Sequence, residues 1–292
     1  MVEIEDLDAL DLTIWLGRGS DAATRLDCNQ STVSRRSNHC LQVFNLRLQR
    51  DGEGWPRNPV SNLLRLQREV HQLHRLRRGR GLRLDASLLA GPLLRGGLPR
   101  HWICGNLDAL GWQRPLQLLE ERILDAWITA MGQELRDCHS ADLHCIPLLI
   151  TPLQLAATPC HPLLGQGELT LNDVAGLPRL APQPGSYPRT EQLLGPWRER
   201  RHALTLEGNQ RRRASEAGVA ATELTLHYGT RFSLAHQRDL KPLPLDLGVP
   251  TQLTLVMHRD VSEHAAMVQL SDMLQRRAVQ AALEDLGAPG RN

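Results

Sequence analysis

Apolar positions recur at helical spacing near the start of the chain, where Leu7, Leu10 and Ile14 share one face of a segment spanning residues 4 to 16. A short helix is predicted next, with Ser20 as its N-cap and Ala22, Ala23 and Leu26 as a small-residue inner face. Asp27, Cys28 and Asn29 interrupt it with turn-forming side chains, and a second helical pattern runs from about Gln30 to Leu41. Val33 and Cys40 set the inner face of that helix, which leaves Gln30, Ser31, Thr32, Ser34, Arg35 and Arg36 on or near its outer surface. The stretch RDGEGWPRNP is rich in glycine, proline and charge and reads as a loop or irregular wing, with Trp55 as its expected anchor. From Val60 to Arg78, Leu63, Leu66, Val70, Leu73 and Leu76 fall at spacings of three and four, a coiled-coil-like seam; Arg65, Arg68, Glu69, Arg75, Arg77 and Arg78 are expected on the remaining surface. The glycines of RRGRG end it.

Past residue 81 strands and helices alternate, which predicts an α/β domain. GLRLDAS reads as a strand ending at Ser87, LLAGPLLRGG as a helix, HWICGNL as a strand, RPLQLLEER as a helix and ILDAWITA as a strand. HCIPLLITPLQLAA adds one or two buried strands, and LTLNDVAGL a short capped helix. QLTLVMHRD is a further strand, followed by a helix that starts after Ser262, runs toward Leu286 and stops at Gly287.

An α-helix fits the DNA major groove, where glutamine pairs with adenine, arginine with guanine, and short hydroxyls meet phosphate. The exposed polar face beginning at Gln30, set behind a shorter helix by a tight turn, therefore predicts a helix-turn-helix. The same region also spells G-x-G-x-x-A through Gly17, Gly19 and Ala22, the outline of a dinucleotide-binding loop. Helical spacing before those glycines, the lack of an acidic residue about twenty positions beyond them and the lack of a prompt strand count against it.

The stretch GSDAATRLDCNQSTVSRR resembles the N-terminal winged helix-turn-helix of LysR-type transcriptional regulators, in the order small-residue helix, Leu, turn, Gln, Ser, x, Val, Ser, Arg. The chain departs from the family pattern at Ser37, where an apolar residue is usual, and across the wing at Pro56, Arg57, Asn58, Pro59 and Val60. More loosely, ILDAWIT, PLLITPLQLAATPCHPLL, LTLNDVAGLPRLAPQPGSYPR and LTLVMHRD resemble, in that order, the family's effector-binding domain. The resemblance implies a winged helix-turn-helix DNA-binding domain over residues 1–58 and a linker and dimerisation helix over 59–79. A two-lobed, periplasmic-binding-protein-like α/β domain would fill 80–292, with lobe I at about 80–150 and 261–292 and lobe II at about 151–260. It also implies a homodimer or homotetramer on double-stranded operator DNA, controlled by a small-molecule effector held between the lobes. Ligands in open α/β sheets bind beyond the carboxyl ends of strands, and Ser87 stands at such an end, where a hydroxyl and free amides suit an anionic metabolite. By resemblance Thr129, Ser186 and Tyr187 would line the same cleft, with Tyr228 as a further candidate.

Composition changes this picture little. Hydrophobic residues make up 41% of the 292 and aromatics 3%, so the cores must be aliphatic, and the length allows two domains. The net charge is only +2, yet residues 16 to 80 carry thirteen arginines against five acidic residues, a concentration that would draw phosphate and make binding fall with salt. Cys138, His139, His144, Cys145, Cys160 and His161 gather metal-binding or redox-active groups, but their spacing matches no standard zinc pattern, so neither metal nor cofactor is expected. His258-Arg259-Asp260 copies the start of a kinase catalytic loop while Ala265 occupies the place of its asparagine, and no other catalytic motif is present, so an enzyme is not expected. The opening VEIEDLDALD is acidic and no apolar run approaches membrane-spanning length, which predicts a cytoplasmic protein without a membrane partner. Two other classes remain open: a small-molecule-binding protein of the same fold with a degenerate DNA-binding domain, and an enzyme with an unrecognised cleft.

Overall fold

In the computed structural model, residues 2–50, 56–57, 59, 61–105, 113–130, 141–175, 177, 179–180, 192, 225–235, 237 and 239–287 are described. They fall into two units: Met1–Asp85 with Arg100–Asn106 and Pro115–Trp127, and Ala86–Pro99 with Leu107–Arg114 and Ile128–Asn292.

In the first unit, α1 (Ile4–Leu16), α2 (Gly19–Leu26) and α3 (Gln30–Val43) pack pairwise around Leu7, Leu10, Ile14, Ala22, Val33 and Cys40. Each fully buried leucine there contributes roughly 2 kcal/mol of transfer free energy, enough to fix a small aliphatic core. Gly17 ends α1 in the left-handed region at φ 80, its amide donating to the Thr13 carbonyl. The chain passes straight into α2, whose N-cap is Arg18 in extended backbone. Ser20 therefore does not cap that helix as expected: the Ala22 amide already takes the Arg18 carbonyl, and the Ser20 hydroxyl donates to Asp21 instead. Gly17 thus closes one helix and Gly19 opens the next, with no strand before them, which removes the dinucleotide-loop reading. Asp27 closes α2 at φ 50, and Asn29 opens α3, its carbonyl accepting from Thr32 and Val33.

Beyond α3, β1 (Gln49–Arg50) and β2 (Pro56–Arg57) form an antiparallel pair, and Trp55 lies outside the described residues. Next comes α4 (Asn62–Arg78), started by the Ser61 side chain accepting from the Leu64 amide and ended by Gly79 at φ 57. Its sidedness is inverted. Leu63, Leu66, Val70 and Leu73 are 69%, 51%, 62% and 52% exposed, while Leu64, Arg68, His71, Gln72, Arg75 and Leu76 are buried. Of the expected seam only Leu76 is inside, and Arg68 and Arg75, expected on the surface, are buried because carboxylates from other elements meet those guanidiniums inside the unit. After α4, β3 (Leu82–Ala86) pairs in parallel with β4 (Trp102–Cys104), and α5 (Gln113–Glu120) leads to β5 (Ala126–Thr129). A Cβ on Gly105 would lie 2.9 Å from Asp85 Oδ1 and 3.1 Å from the Trp15 ring. Only glycine leaves room there for the Trp15 indole to donate to Asp85, at 3.0 Å.

The second unit is built on β6 (Leu143–Ala157), one strand of 15 residues where one or two were expected. After β6 come α6 (Leu171–Val174), β7 (Arg179–Leu180), β8 (Leu226–Thr230), α7 (Arg231–Leu234), β9 (Lys241–Pro242), β10 (Pro250–His258) and α8 (Ala265–Gly287). β10 runs antiparallel to β6 from Pro250 opposite Pro152 to His258 opposite Leu143, with a register shift between Leu253 and Thr254. β8 and β9 pair with the far half of β6, and β7 is parallel to β8. α8 packs on β6 and buries Met267, Leu270, Leu274 and Ala278. A Cβ on Gly229 would stand 2.6 Å from Leu234, so the glycine allows α7 to fold back onto β8. The predicted helix after Ser87 is a 3-10 segment, Leu88–Leu94, because Pro92 inside it has no amide to give an α-helical bond.

Candidate functional site

The outward side of α3 is open. Gln30, Ser31, Ser34 and Arg35 are exposed, Thr32 and Arg36 are half-buried, and Val33, Ser37, Cys40 and Leu41 form the inward side. The helix is held from beneath by that core and by His39, whose Nδ1 stands 2.6 Å from Asp6 Oδ2 of α1. Not every arginine of the basic region is available: Arg25 donates to the Cys104 carbonyl at 2.9 Å, and Arg68 and Arg75 are inside. Ser37 sits where an apolar side chain would pack, and its buried hydroxyl has no hydrogen-bond partner. Removing an unsatisfied buried hydroxyl relieves its dehydration cost, so Ser37→Ala is expected to raise stability by about 1 kcal/mol, read as a higher urea midpoint. An unchanged or lower midpoint would mean the hydroxyl finds a partner in solution.

The first unit also holds a buried network of charge. Arg68 Nε donates to Asp11 Oδ1 at 2.8 Å and its Nη1 to Glu121 at 3.2 Å, joining α4 to α1 and to the end of α5. Arg75 grips Asp125 with two nitrogens, at 2.8 and 3.2 Å, and Gln72 adds a third donor at 3.1 Å. Arg83 of β3 reaches Asp8 and Asp11 with its guanidinium while its own amide donates to Asp125 at 2.8 Å. Arg122 closes the set on Gln72 Oε1 at 2.7 Å. Burial pushes Arg83 below its ordinary value, with the neighbouring Arg75 charge adding to the effect. At Arg75 burial acts the same way but the Asp125 charge and hydrogen bonds outweigh it, so that guanidinium is held above its ordinary value. Sequence reading missed this network. Its one signal was Asp11, an acid inside the apolar run ALDLTIWL.

In the second unit, two of the candidate effector residues come together. The Ser87 amide donates to the carbonyl of Ile128, the neighbour of Thr129, at 2.8 Å, and Thr129 is almost fully buried. The Ser87 hydroxyl is buried and has no hydrogen-bond partner. Thr251 of β10 donates to the Ala130 carbonyl at 3.1 Å and lies opposite Thr151 of β6, whose own buried hydroxyl is unpartnered. Neither threonine stood out in the sequence, because threonine is ordinary in strands. Tyr228 lies on β8 opposite Leu155 of β6, four positions along that strand from Thr151. Ser186 and Tyr187 lie outside the described residues. Burial pushes His227, beside Tyr228, down to about 4, so its ring is neutral at pH 7.

Cys138 and His139 also lie outside the described residues. His144 and Cys145 stand near one end of β6 and Cys160 and His161 just past the other, roughly 40 Å apart along an extended strand. Among the described residues no three His, Cys, Asp or Glu side chains gather as a metal site. Burial, with the Asp11 charge, pushes the Cys40 thiol up to about 12, while burial takes Cys104 to about 11 and raises Cys145, so these three are thiols at neutral pH and weak nucleophiles. No described helix is long and apolar enough to cross a membrane.

The LysR substrate binding domain family matches residues 106–279, more than half of the chain. Similar solved structures include an OxyR mutant from Corynebacterium glutamicum, at 16% identity, covering 99% of this chain and 96% of that one with a TM-score of 0.49. ArgP from Mycobacterium tuberculosis shows 16% identity, 94% and 96% coverage and a TM-score of 0.48. LysG from Corynebacterium glutamicum, solved with bound effector Arg, shows 15% identity, 95% and 98% coverage and a TM-score of 0.43. No curated protein sequence is significantly similar. On the strength of the family match, the chain belongs to the LysR-type transcriptional regulators, with an effector-binding LysR substrate-binding domain.

Proposed function

We propose that this regulator reads operator DNA with α3 as the recognition helix of a winged helix-turn-helix, β1 and β2 forming the wing. Gln30, Ser31, Thr32, Ser34, Arg35 and Arg36 would face the duplex, with Gln30 and Arg35 on base edges and the hydroxyls and Arg36 on phosphate. The observation that carries the reading is the sidedness of α3: its inner residues are buried against α1 and α2, while Gln30, Ser31, Ser34 and Arg35 are open to solvent. The exposed apolar stripe of α4 supports pairing with a second copy into a homodimer or homotetramer, which would present two recognition helices to two half-sites.

In the same proposal a small effector, an anionic metabolite, binds between two lobes of a periplasmic-binding-protein-like domain at Ser87, Thr129, Ser186, Tyr187 and Tyr228. The buried, unpartnered hydroxyls of Ser87 and Thr151 support a polar ligand in that region. Effector binding would favour one arrangement of the paired reading helices over another. A second reading, in which the N-terminal unit no longer recognises DNA, is favoured by Ser37, whose unsatisfied hydroxyl weakens the support under α3. Selection by the full chain from a pool of randomised duplexes separates the two. Enrichment of a two-fold-symmetric sequence, with retention that falls steeply with salt, supports the regulator. Retention without any enriched sequence, or none at low salt, supports the degenerate form.

A further inference from the structure

His71 is a histidine in an unusual position. It lies on the inward side of α4, its side chain is 3% exposed, and neither ring nitrogen has a hydrogen-bond partner. Around it stand Asp8 and Asp11 from α1, Arg83 from β3, and Arg75 and His74 from its own helix, the His74 ring 6.4 Å away centre to centre. The surrounding network is balanced: Asp8, Asp11, Glu121 and Asp125 face Arg68, Arg75, Arg83 and Arg122. A protonated His71 would be a fifth cation among four anions. The acceptor nearest to hand is Asp8 Oδ1, 3.8 Å from His71 Nδ1, and that same oxygen accepts from Arg83 Nη2. The distance is too long for a hydrogen bond and short enough to close with a small movement of the ring.

We propose that His71 is a proton-operated partner switch: on protonation its imidazolium takes Asp8 from Arg83, moving the Asp8 tie of α1 from β3 to α4. In the neutral form Arg83 bridges Asp8 and Asp11 and holds α1 against β3. In the protonated form Nδ1–H donates to Asp8, and Arg83 keeps Asp11 and the Ile123 carbonyl, which already accepts from it at 3.1 Å. Burial, the largest influence on His71, holds it below the ordinary value of 6.5; Asp8 pulls the other way. Well above pH 6.5 both folded and unfolded chains carry it neutral and its contribution to stability is complete. As pH falls below 6.5 the unfolded chain takes the proton first, so stability drops by up to about tenfold in the folding constant per pH unit until the folded imidazole also charges.

The test is an NMR titration of the full chain, labelled at histidine and arginine, with His71→Leu used to assign the His71 signal. In the wild type the His71 imidazole should titrate below pH 6.5, and the Arg83 Nε–H signal should shift with the same midpoint as Asp8 leaves it. In Asp8→Asn the midpoint should fall by about one pH unit, because a carboxylate within about 4–6 Å favours the charged ring by that order. A midpoint unchanged in Asp8→Asn overturns Asp8 as the acceptor. If that variant does not fold, the wild-type titration decides alone: an Arg83 signal that stays constant while His71 titrates, or a His71 that never titrates in the folded chain, overturns the exchange. The readouts involve no DNA, so they stand or fall separately from the proposed function.

Discussion

Asp125→Ala is expected to cost about 3–5 kcal/mol of stability, a large share of the roughly 5–15 kcal/mol that holds a domain together. The carboxylate accepts from Nε and Nη2 of Arg75, from Gln72 and from the Arg83 amide, and it is fully buried. Its removal strands the Arg75 charge away from water and leaves the Arg83 amide of β3 without its acceptor, and neither loss is screened by solvent. Asp125→Asn keeps one acceptor oxygen and should fall between the two. Urea unfolding at pH 7 measures both. A loss below about 1 kcal/mol for the alanine variant would mean that water enters the network and replaces the carboxylate.

The proposed pairing through α4 predicts that Leu66→Asp combined with Val70→Asp leaves the chain monomeric. The two side chains are 51% and 62% exposed, so the change leaves the folded chain's own core untouched. In a two-fold pairing each substitution is felt twice, and a buried leucine or valine is worth roughly 1.5–3 kcal/mol, so association should weaken by at least about a thousandfold. Sedimentation equilibrium reads this directly, with unfolding midpoints as the control for stability. A wild type that is already monomeric at micromolar concentration would show that something other than a second copy covers this stripe.

Part of this architecture was legible in the sequence, and the rest was concealed for identifiable reasons. The start of α3 was readable because Asp27, Cys28 and Asn29 are poor helix residues, and the end of α4 because Gly79 takes the left-handed conformation. Which side of α4 faces inward was not readable. Its apolar stripe and its stripe of Arg68, His71, Gln72 and Arg75 both recur at helical spacing, so periodicity alone ranks the apolar one as buried. The choice is made by Asp11 and Asp125, which are 57 and 50 positions away from Arg68 and Arg75 in the chain. Ser20 failed as a cap for a local reason: Arg18, directly after the left-handed Gly17, already holds the extended N-cap backbone of α2. Of the effector candidates, Ser87 and Thr129 could be singled out from the strand ends they occupy, whereas the pairing of Thr151 with Thr251 depends on cross-strand register that no local pattern encodes.

Whether the open side of α3 reads nucleotide sequence is decided by gel retardation of the pool-selected duplex and of a scrambled duplex, by the wild type and by Gln30→Ala combined with Arg35→Ala. Removing each side chain from a base edge should cost about 1–3 kcal/mol, so the preference for the selected duplex should fall by about a hundredfold or more while the unfolding midpoint stays in place. The same preference in the double variant as in the wild type would mean that α3 does not read the duplex.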